Sequence, residues 1–395
     1  MQSSDMAPAP DRLLIPLLSL GNFVIGMGAF VIVGVLEPLG ADMQRSAASA
    51  GQLLTVYSIA YAILSPLLVA LSGRVGRRRV LASAFVLFAL AAVLSAVATN
   101  FAMLNIGRVL AAAGAGLFTP VAAAVAAALY PEAQRARVLA SVFFGLTLSQ
   151  VLGVPVGSWI AYSFGWRWAF WLVLALTLPL IWLTWRRVPA GLRFQPVSLT
   201  DLGHVLSQGR VMLAVMFTGS FLGSIYVLYT YVAPLLSGTM GYGRDGITAI
   251  LLVFGLGAVG GNILGGFLAD KLGWKITLTA LCLCQMSVMP LFSLLPVSDI
   301  ALVAIAFFWA LSGWAFMAGQ QMRLINFAGA QAPVVLAVNA AAIYIGAAIG
   351  SAIGGLVIAG FGIAATGFAA GCCACLALLH LWFSVRYPPR PQHSP

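Results

Sequence analysis

Arg108 is the residue that most demands a chemical explanation. It is the only charge in an apolar run of 29 residues from Phe101 to Leu129, a run long enough to cross a bilayer. A guanidinium at that depth costs about 2.5–3.5 kcal/mol on insertion scales. It is therefore expected to face protein or water and to mark a pathway. The alternative is a side chain that snorkels to the nearer interface, two turns away. Glu37 is the second such residue. The acids are Asp5, Asp11, Glu37, Asp42, Glu132, Asp201, Asp245, Asp270 and Asp299, and none falls in the middle of an apolar stretch. Glu37 stands at the lip of the first stretch and shares a helical face with Asn22, Gly26, Ala29 and Val33. A carboxyl that alternates between an apolar site and a guanidinium takes up and releases a proton. Glu37 and Arg108 are therefore expected to form an alternating pair, against the plainer reading of Glu37 as a solvated residue at a helix end. His380 is a weaker candidate, read as interfacial. Cys372 and Cys375 have CxxC spacing, but neither His nor acid stands near them, so all five cysteines read as small packing residues. No clustered nucleophile, base or metal-ligand set appears, so neither an enzyme nor a bound metal or cofactor is expected.

These residues need helices to hold them in lipid. The chain has 395 residues, 62% hydrophobic and 7% charged, where a soluble chain carries about 25% charged. The pattern predicts an all-α polytopic membrane protein of twelve spans, at 13–36, 50–72, 80–98, 102–129, 139–163, 169–186, 211–236, 247–269, 276–295, 300–327, 336–360 and 364–384. The first segment is a full span, too long for a cleavable signal peptide. Sixteen of the 20 basic residues fall on one set of loops and tails, while the opposite loops carry Arg45, Arg167 and Arg244. The positive-inside rule then puts both termini in the cytoplasm of a cell inner membrane. The net charge of +11 lies along the anionic leaflet, which argues against a nucleic-acid partner. The expected divisions are a tail at 1–12, a six-helix bundle at 13–187, a linker at 188–210 with a possible cap at Ser198 and a short interfacial helix, a second bundle at 211–386, and a tail at 387–395.

The two bundles read as a repeat. Gly73, Arg74, Gly76, Arg77 and Arg78 follow span two, and Asp270, Lys271, Gly273 and Lys275 follow span eight, offset by 197 positions. Gly145, Gly153 and Gly157 in span five answer Gly346, Gly350 and Gly354 in span eleven, with 153 and 350 at the same offset. Phe164-Gly165 and Phe361-Gly362 repeat it again. Two similar halves suggest a parallel repeat about the membrane normal. Small residues four apart make a stripe that lets another helix approach closely, and Gly257, Gly261 and Gly265 form another. The GxGxxG over 255–260 is read as coincidence, since no strand precedes it.

At this point the chain resembles the major facilitator superfamily, in the drug:proton antiporter branch of sugar, nucleoside and chloramphenicol exporters. The loop from Gly73 to Val80 is similar to the family's motif between helices 2 and 3. Leu104 to Gly116, with Arg108, is similar to its helix 4 motif. Gly145 to Gly157, with Gly153 and Pro155, is similar to the helix 5 motif associated with exporters. Two departures stand out. Gly73 replaces the usual loop aspartate, which survives in the second half as Asp270. Ala29 lies in the stretch where many relatives carry an acid. The resemblance implies that helices 1, 4, 7 and 10 line a central cavity. The faces nominated are Asn22; Arg108 with Thr119; Tyr226 and Tyr229; Trp309, Phe316 and Gln320; and Gln150 beside the glycine ladder. Each aromatic could equally be packing, and each amide helix–helix glue. An aromatic, hydroxyl and amide lining suits a neutral or amphipathic organic molecule. The expectation is a monomeric secondary transporter that exports such a compound in exchange for protons. A passive facilitator of the same fold is the first alternative, and a membrane receptor or enzyme the second.

Overall fold

The computed structural model describes residues 11–192 and 199–387. The tails expected at 1–12 and 387–395 lie almost wholly outside the described residues, as do 193–198 of the linker, with Ser198. The helices are α1 Leu14–Asp42, α2 Ala47–Leu71, α3 Arg77–Ala96, α4 Phe101–Leu129, α5 Glu132–Leu148, α6 Val154–Phe164, α7 Trp166–Arg187, α8 Leu199–Ser207, α9 Gly209–Tyr229, α10 Val232–Met240, α11 Arg244–Val288, α12 Asp299–Trp314, α13 Phe316–Ala328, α14 Ala332–Phe361 and α15 Thr366–Arg386. A π-helical turn, Ser149–Gly153, joins α5 to α6 in one span. Breaks at Thr230–Tyr231 and at Ala315 leave α9–α10 and α12–α13 as one span each.

Eleven described stretches are long and apolar enough to cross a membrane. One of them, Arg244–Leu294, has 51 residues, about 77 Å of straight helix against a hydrocarbon core of about 30 Å. Its backbone reverses at Gly273, where φ is 75°, a conformation glycine adopts without steric cost. It therefore makes two spans, and the total is twelve. The fold is all-α, with two pseudo-symmetric six-helix bundles.

The glycine stripes build each bundle. In the first, a Cβ at Gly145 would run into the Ser19 carbonyl, one at Gly153 into Met27 and one at Gly157 into Val31, so the fifth span lies directly on α1. In the second, Gly346 and Gly350 meet the Gly219 and Gly223 carbonyls and Gly354 meets that of Val227, so α14 lies directly on α9. Positions 153 and 350, and 26 and 223, are related by the 197 offset. Polar ties repeat it too. Asn22 donates to the Val142 carbonyl (2.9 Å) and accepts from Thr119 (2.9 Å). Thr218 donates to Asn339 (2.5 Å) and accepts from Gln320 (3.0 Å). Residues 142 and 339 are again 197 apart. Gly257, Gly261 and Gly265 face the carbonyls of Phe307, Leu311 and Ala315, within the second bundle.

Several expectations shift. The first helix does not stop near Leu36 but runs to Asp42, passing through Pro38. Its end is held by Asp42, which accepts from Trp166 Nε1 (3.0 Å) and pairs with Arg167 (2.7 Å). Glu37 is thus inside the helix rather than at its lip. Arg323, counted among the loop charges, is buried in α13, where it donates to Ser384 and lies over Trp274 at 5.1 Å. At the arginine-rich end, Gly73 and Arg74 form a 3-10 turn, Gly76 starts α3, and Arg77 is buried with its backbone N–H on the Leu192 carbonyl (3.0 Å). Asp270 is exposed, and Lys271 lies over Phe267. Asp11, outside the spans, accepts from the Leu13 N–H and from Arg187 (3.0 Å), and these bonds hold its carboxyl below the usual range.

Gly350→Val places a branched side chain against the Gly223 carbonyl, and overpacking of this kind costs about 1–3 kcal/mol or more. A lower thermal midpoint of the purified protein is expected, whereas Gly360→Ala, with nothing within 4 Å of the new methyl, should leave the midpoint unchanged.

Candidate functional site

Arg108 faces protein. It is 1% exposed, which rules out the snorkelling alternative. One terminal nitrogen donates to the Gly28 carbonyl at 2.8 Å and the other to the Ala29 carbonyl at 2.6 Å. The guanidinium carbon lies 4.5 Å from the centre of the Tyr57 ring. A helical carbonyl has a second lone pair to offer to the fork. Hydrogen bonds to a charged group contribute about 1.5–3 kcal/mol each. Two of them, with the ring face, offset the roughly 2.5–3.5 kcal/mol of insertion. The charge is therefore held without a carboxylate.

Glu37 is elsewhere, and this corrects the expected pair. It lies eight residues beyond Ala29, about 12 Å along α1. Its carboxylate accepts from the Tyr162 hydroxyl (2.6 Å) in the same bundle and from the Ser237 hydroxyl (2.6 Å) in the other. In this conformation it ties the bundles together at the end opposite the arginine-rich loops. Arg244 reaches Ser163 (3.4 Å) at that same end. One layer deeper, the Ser351 hydroxyl donates to the Gly51 carbonyl (3.0 Å), while Tyr231 donates to the Ser351 carbonyl (2.8 Å).

The middle layer is aromatic. Tyr61 of α2 stacks on Tyr344 of α14 with ring centres 3.6 Å apart, and Phe30 of α1 on Tyr226 of α9 at 6.2 Å. Tyr229 donates its hydroxyl to Gln150 Oε1 (2.9 Å). Gln150 sits in the π turn of the fifth span, three residues before Gly153. Pro155 follows that turn, and a proline supplies no N–H for the preceding backbone. π turns are rare and frequently sit at functional sites, and irregular backbone at membrane depth survives only where protein or a cavity surrounds it.

The nominated residues therefore divide. Gln150, Tyr226 and Tyr229 meet at the seam between the bundles, and Arg108 stands one ring behind it, over Tyr57, whose ring lies 6.1 Å from Tyr344. Asn22, Thr119 and Gln320 are interhelical ties; Gln320 donates to Thr218 and to the Ala214 carbonyl. Trp309 packs among Phe254, Phe292 and Tyr229, and Phe316 stacks on Phe221 at 4.3 Å. In this conformation both belong to the core of the second bundle rather than to open space. Tyr57, Tyr61, Tyr162, Tyr231, Ser237 and Tyr344 were not nominated. The available signal is a tyrosine or serine inside an apolar span, and these lie on the second, fifth, seventh and eleventh spans. His380 bridges α15 to α9 through Ser220 and the Leu213 carbonyl. No metal-ligand cluster occurs among the described residues.

This helix count, the repeat and the buried Arg108 can be set beside known proteins. The family model of the Major Facilitator Superfamily matches residues 18–332. This chain belongs to the major facilitator superfamily. It is 31% identical over 374 residues to the inner membrane transport protein YdhP of Escherichia coli K12, covering 94% of this chain and 96% of that one. It is 29% identical over 342 residues to the MFS-type transporter YbcL of Bacillus subtilis 168, covering 87% and 88%. Among solved structures, a bacterial homologue of the lysosomal transporter Spinster superposes with a TM-score of 0.78 at 17% identity, over 97% of this chain and 98% of that one. A D-xylose-proton symporter gives 0.72 at 20%, over 96% and 98%. The protein is a multi-pass membrane transporter of this superfamily.

Arg108→Lys keeps the charge but replaces the planar two-nitrogen fork with a single compact ammonium, so the lysine variant is expected to lose transport about as fully as Arg108→Ala. Tyr57→Phe, which removes a hydroxyl with no partner, should transport normally. Uptake or efflux in cells expressing matched amounts of each variant reads both.

Proposed function

We propose that this protein is a secondary transporter that exports a small neutral or amphipathic organic compound across the cytoplasmic membrane in exchange for protons. The bundles, 13–187 and 211–386, rock about the seam, with the 188–210 segment as their tether. The arginine-rich end is cytoplasmic, as are both termini, and the structure is then the state closed to the outside. The chain acts as a monomer and is a carrier rather than an enzyme. The observation that carries this reading is the meeting of Gln150, Tyr226 and Tyr229, with Arg108 one ring behind them, at a seam whose described bonds continue to the Glu37 end. Export rests on the helix 5 stripe with Gly153 and Pro155, and transport on the similarity to an inner membrane transport protein. An aromatic and amide surface with its one cation already engaged by carbonyls suits an uncharged or amphipathic substrate.

Glu37 is the proposed proton carrier, because its carboxylate holds the two bundles together and protonation weakens it as an acceptor from Tyr162 and Ser237. The passive facilitator stays in view for one reason: no described Asp or Glu lies beside Arg108. An efflux screen across sugars, nucleosides and amphenicols, in a host lacking its own exporters, tests the substrate class. With a substrate in hand, a protonophore should abolish accumulation against a gradient; accumulation that survives it, or none to begin with, favours the facilitator. Glu37→Gln keeps one acceptor oxygen and turns the other into an amide donor, to which the second hydroxyl can answer as acceptor; it carries no ionisable carboxyl, so transport is expected to lose its dependence on pH. Full retention of that dependence would remove Glu37 from the mechanism.

A further inference from the structure

The first arm of α11 carries glycines on two faces. Gly257, Gly261 and Gly265 meet carbonyls of their own bundle, as described above. Gly255 faces the other bundle. A Cβ there would lie 2.5 Å from the Cα of Val151, 2.7 Å from the Gln150 carbonyl oxygen and 2.9 Å from the Val151 nitrogen. All three are backbone atoms of the π turn Ser149–Gly153, so no change of rotamer relieves the contact. The π turn brings the fifth span onto α11 at this point, and beside it Gln150 accepts from Tyr229 across the same seam.

We infer that Gly255 is a conformational selector: the position must lack a side chain only while the bundles meet at the Glu37 end. When the seam opens there, α11 leaves the π turn and a methyl group meets nothing. Gly255→Ala therefore penalises one state of the cycle and tilts the population toward the other. Gly257→Ala has no such bias, since the atoms it strikes travel with it. The inference rests on the alternating-access reading above, but it needs no substrate to be tested.

Ser58 stands 197 positions before Gly255 and shares a helical face with Gly51 and Tyr61 of the same seam. It is fully buried here. In a background with the five native cysteines replaced, Ser58→Cys reports opening by its rate of reaction with N-ethylmaleimide in the intact purified protein. Adding Gly255→Ala is expected to speed labelling about tenfold, as a minor open state becomes more populated. Adding Gly257→Ala should not speed it. Equal rates with and without Gly255→Ala in monodisperse, helical protein would overturn the inference, as would equal acceleration by Gly257→Ala. Should Gly255→Ala fail to fold, Gln150→Ala removes the Tyr229 bond at the same contact without adding bulk, and it too must accelerate labelling. Accelerated labelling in a protein that moves no compound would sink the export reading and leave this one standing.

Discussion

A guanidinium within the apolar depth of a bilayer must be given partners, and in this protein the backbone supplies them. Arg108 forks onto the carbonyls of Gly28 and Ala29 and covers its remaining face with Tyr57. The arrangement fixes α4 to α1 at one depth and orients both relative to α2. It also removes the need for a carboxylate. At this depth of the first helix the chain has Ala29 rather than an acid, and the peptide oxygen there takes the cation. A proton exchanged for substrate, as proposed above, must then bind elsewhere, which turns attention to Glu37 toward the far end of the same helix.

Around that anchor the molecule separates contacts that move together from contacts that must part. The glycine stripes of the fifth, eighth and eleventh spans press helix backbones together inside each bundle. Association of helices in lipid relies on such packing, because lipid tails are as apolar as the helices themselves. Interhelical hydrogen bonds in this setting average about 0.6 kcal/mol, so Asn22, Thr119, Thr218 and Asn339 set register more than they add strength. The seam between the bundles is built differently. Among the described residues it has ring contacts, a few hydroxyl bonds and close approaches at Gly51, Gly255 and Gly355. Each is individually weak, which suits an interface that opens repeatedly.

The fold was legible because its causes are local in sequence. Long apolar runs and glycines four apart act through helix length and helix contact, and both can be counted from residues alone. The repeat was visible for the same reason. Arg108 was legible because a lone charge in lipid has few fates. Its partners were not, since a backbone carbonyl leaves no mark on a sequence, whereas Glu37 is an acid that the sequence shows plainly on the same half of the membrane. The extent of α1 was misjudged because Pro38 and Glu37 look like an ending, while the bonds that continue the helix to Asp42 come from Trp166 and Arg167. Trp309, Phe316 and Gln320 were assigned to a cavity through the helices that carry them. Which side of those helices faces inward depends on their rotation, and packing of Phe217, Phe221, Phe254 and Phe292 decided it.

The surroundings of Arg108 can be examined most directly in an electron-microscopy map of the protein in lipid nanodiscs, at a resolution that shows side chains. The account predicts density for the guanidinium bridging the Gly28 and Ala29 carbonyls beneath the Tyr57 ring, with Glu37 joined to Tyr162 and Ser237 whenever the seam at that end is closed. A guanidinium directed into lipid, or paired with Glu37 in the closed state, would contradict it.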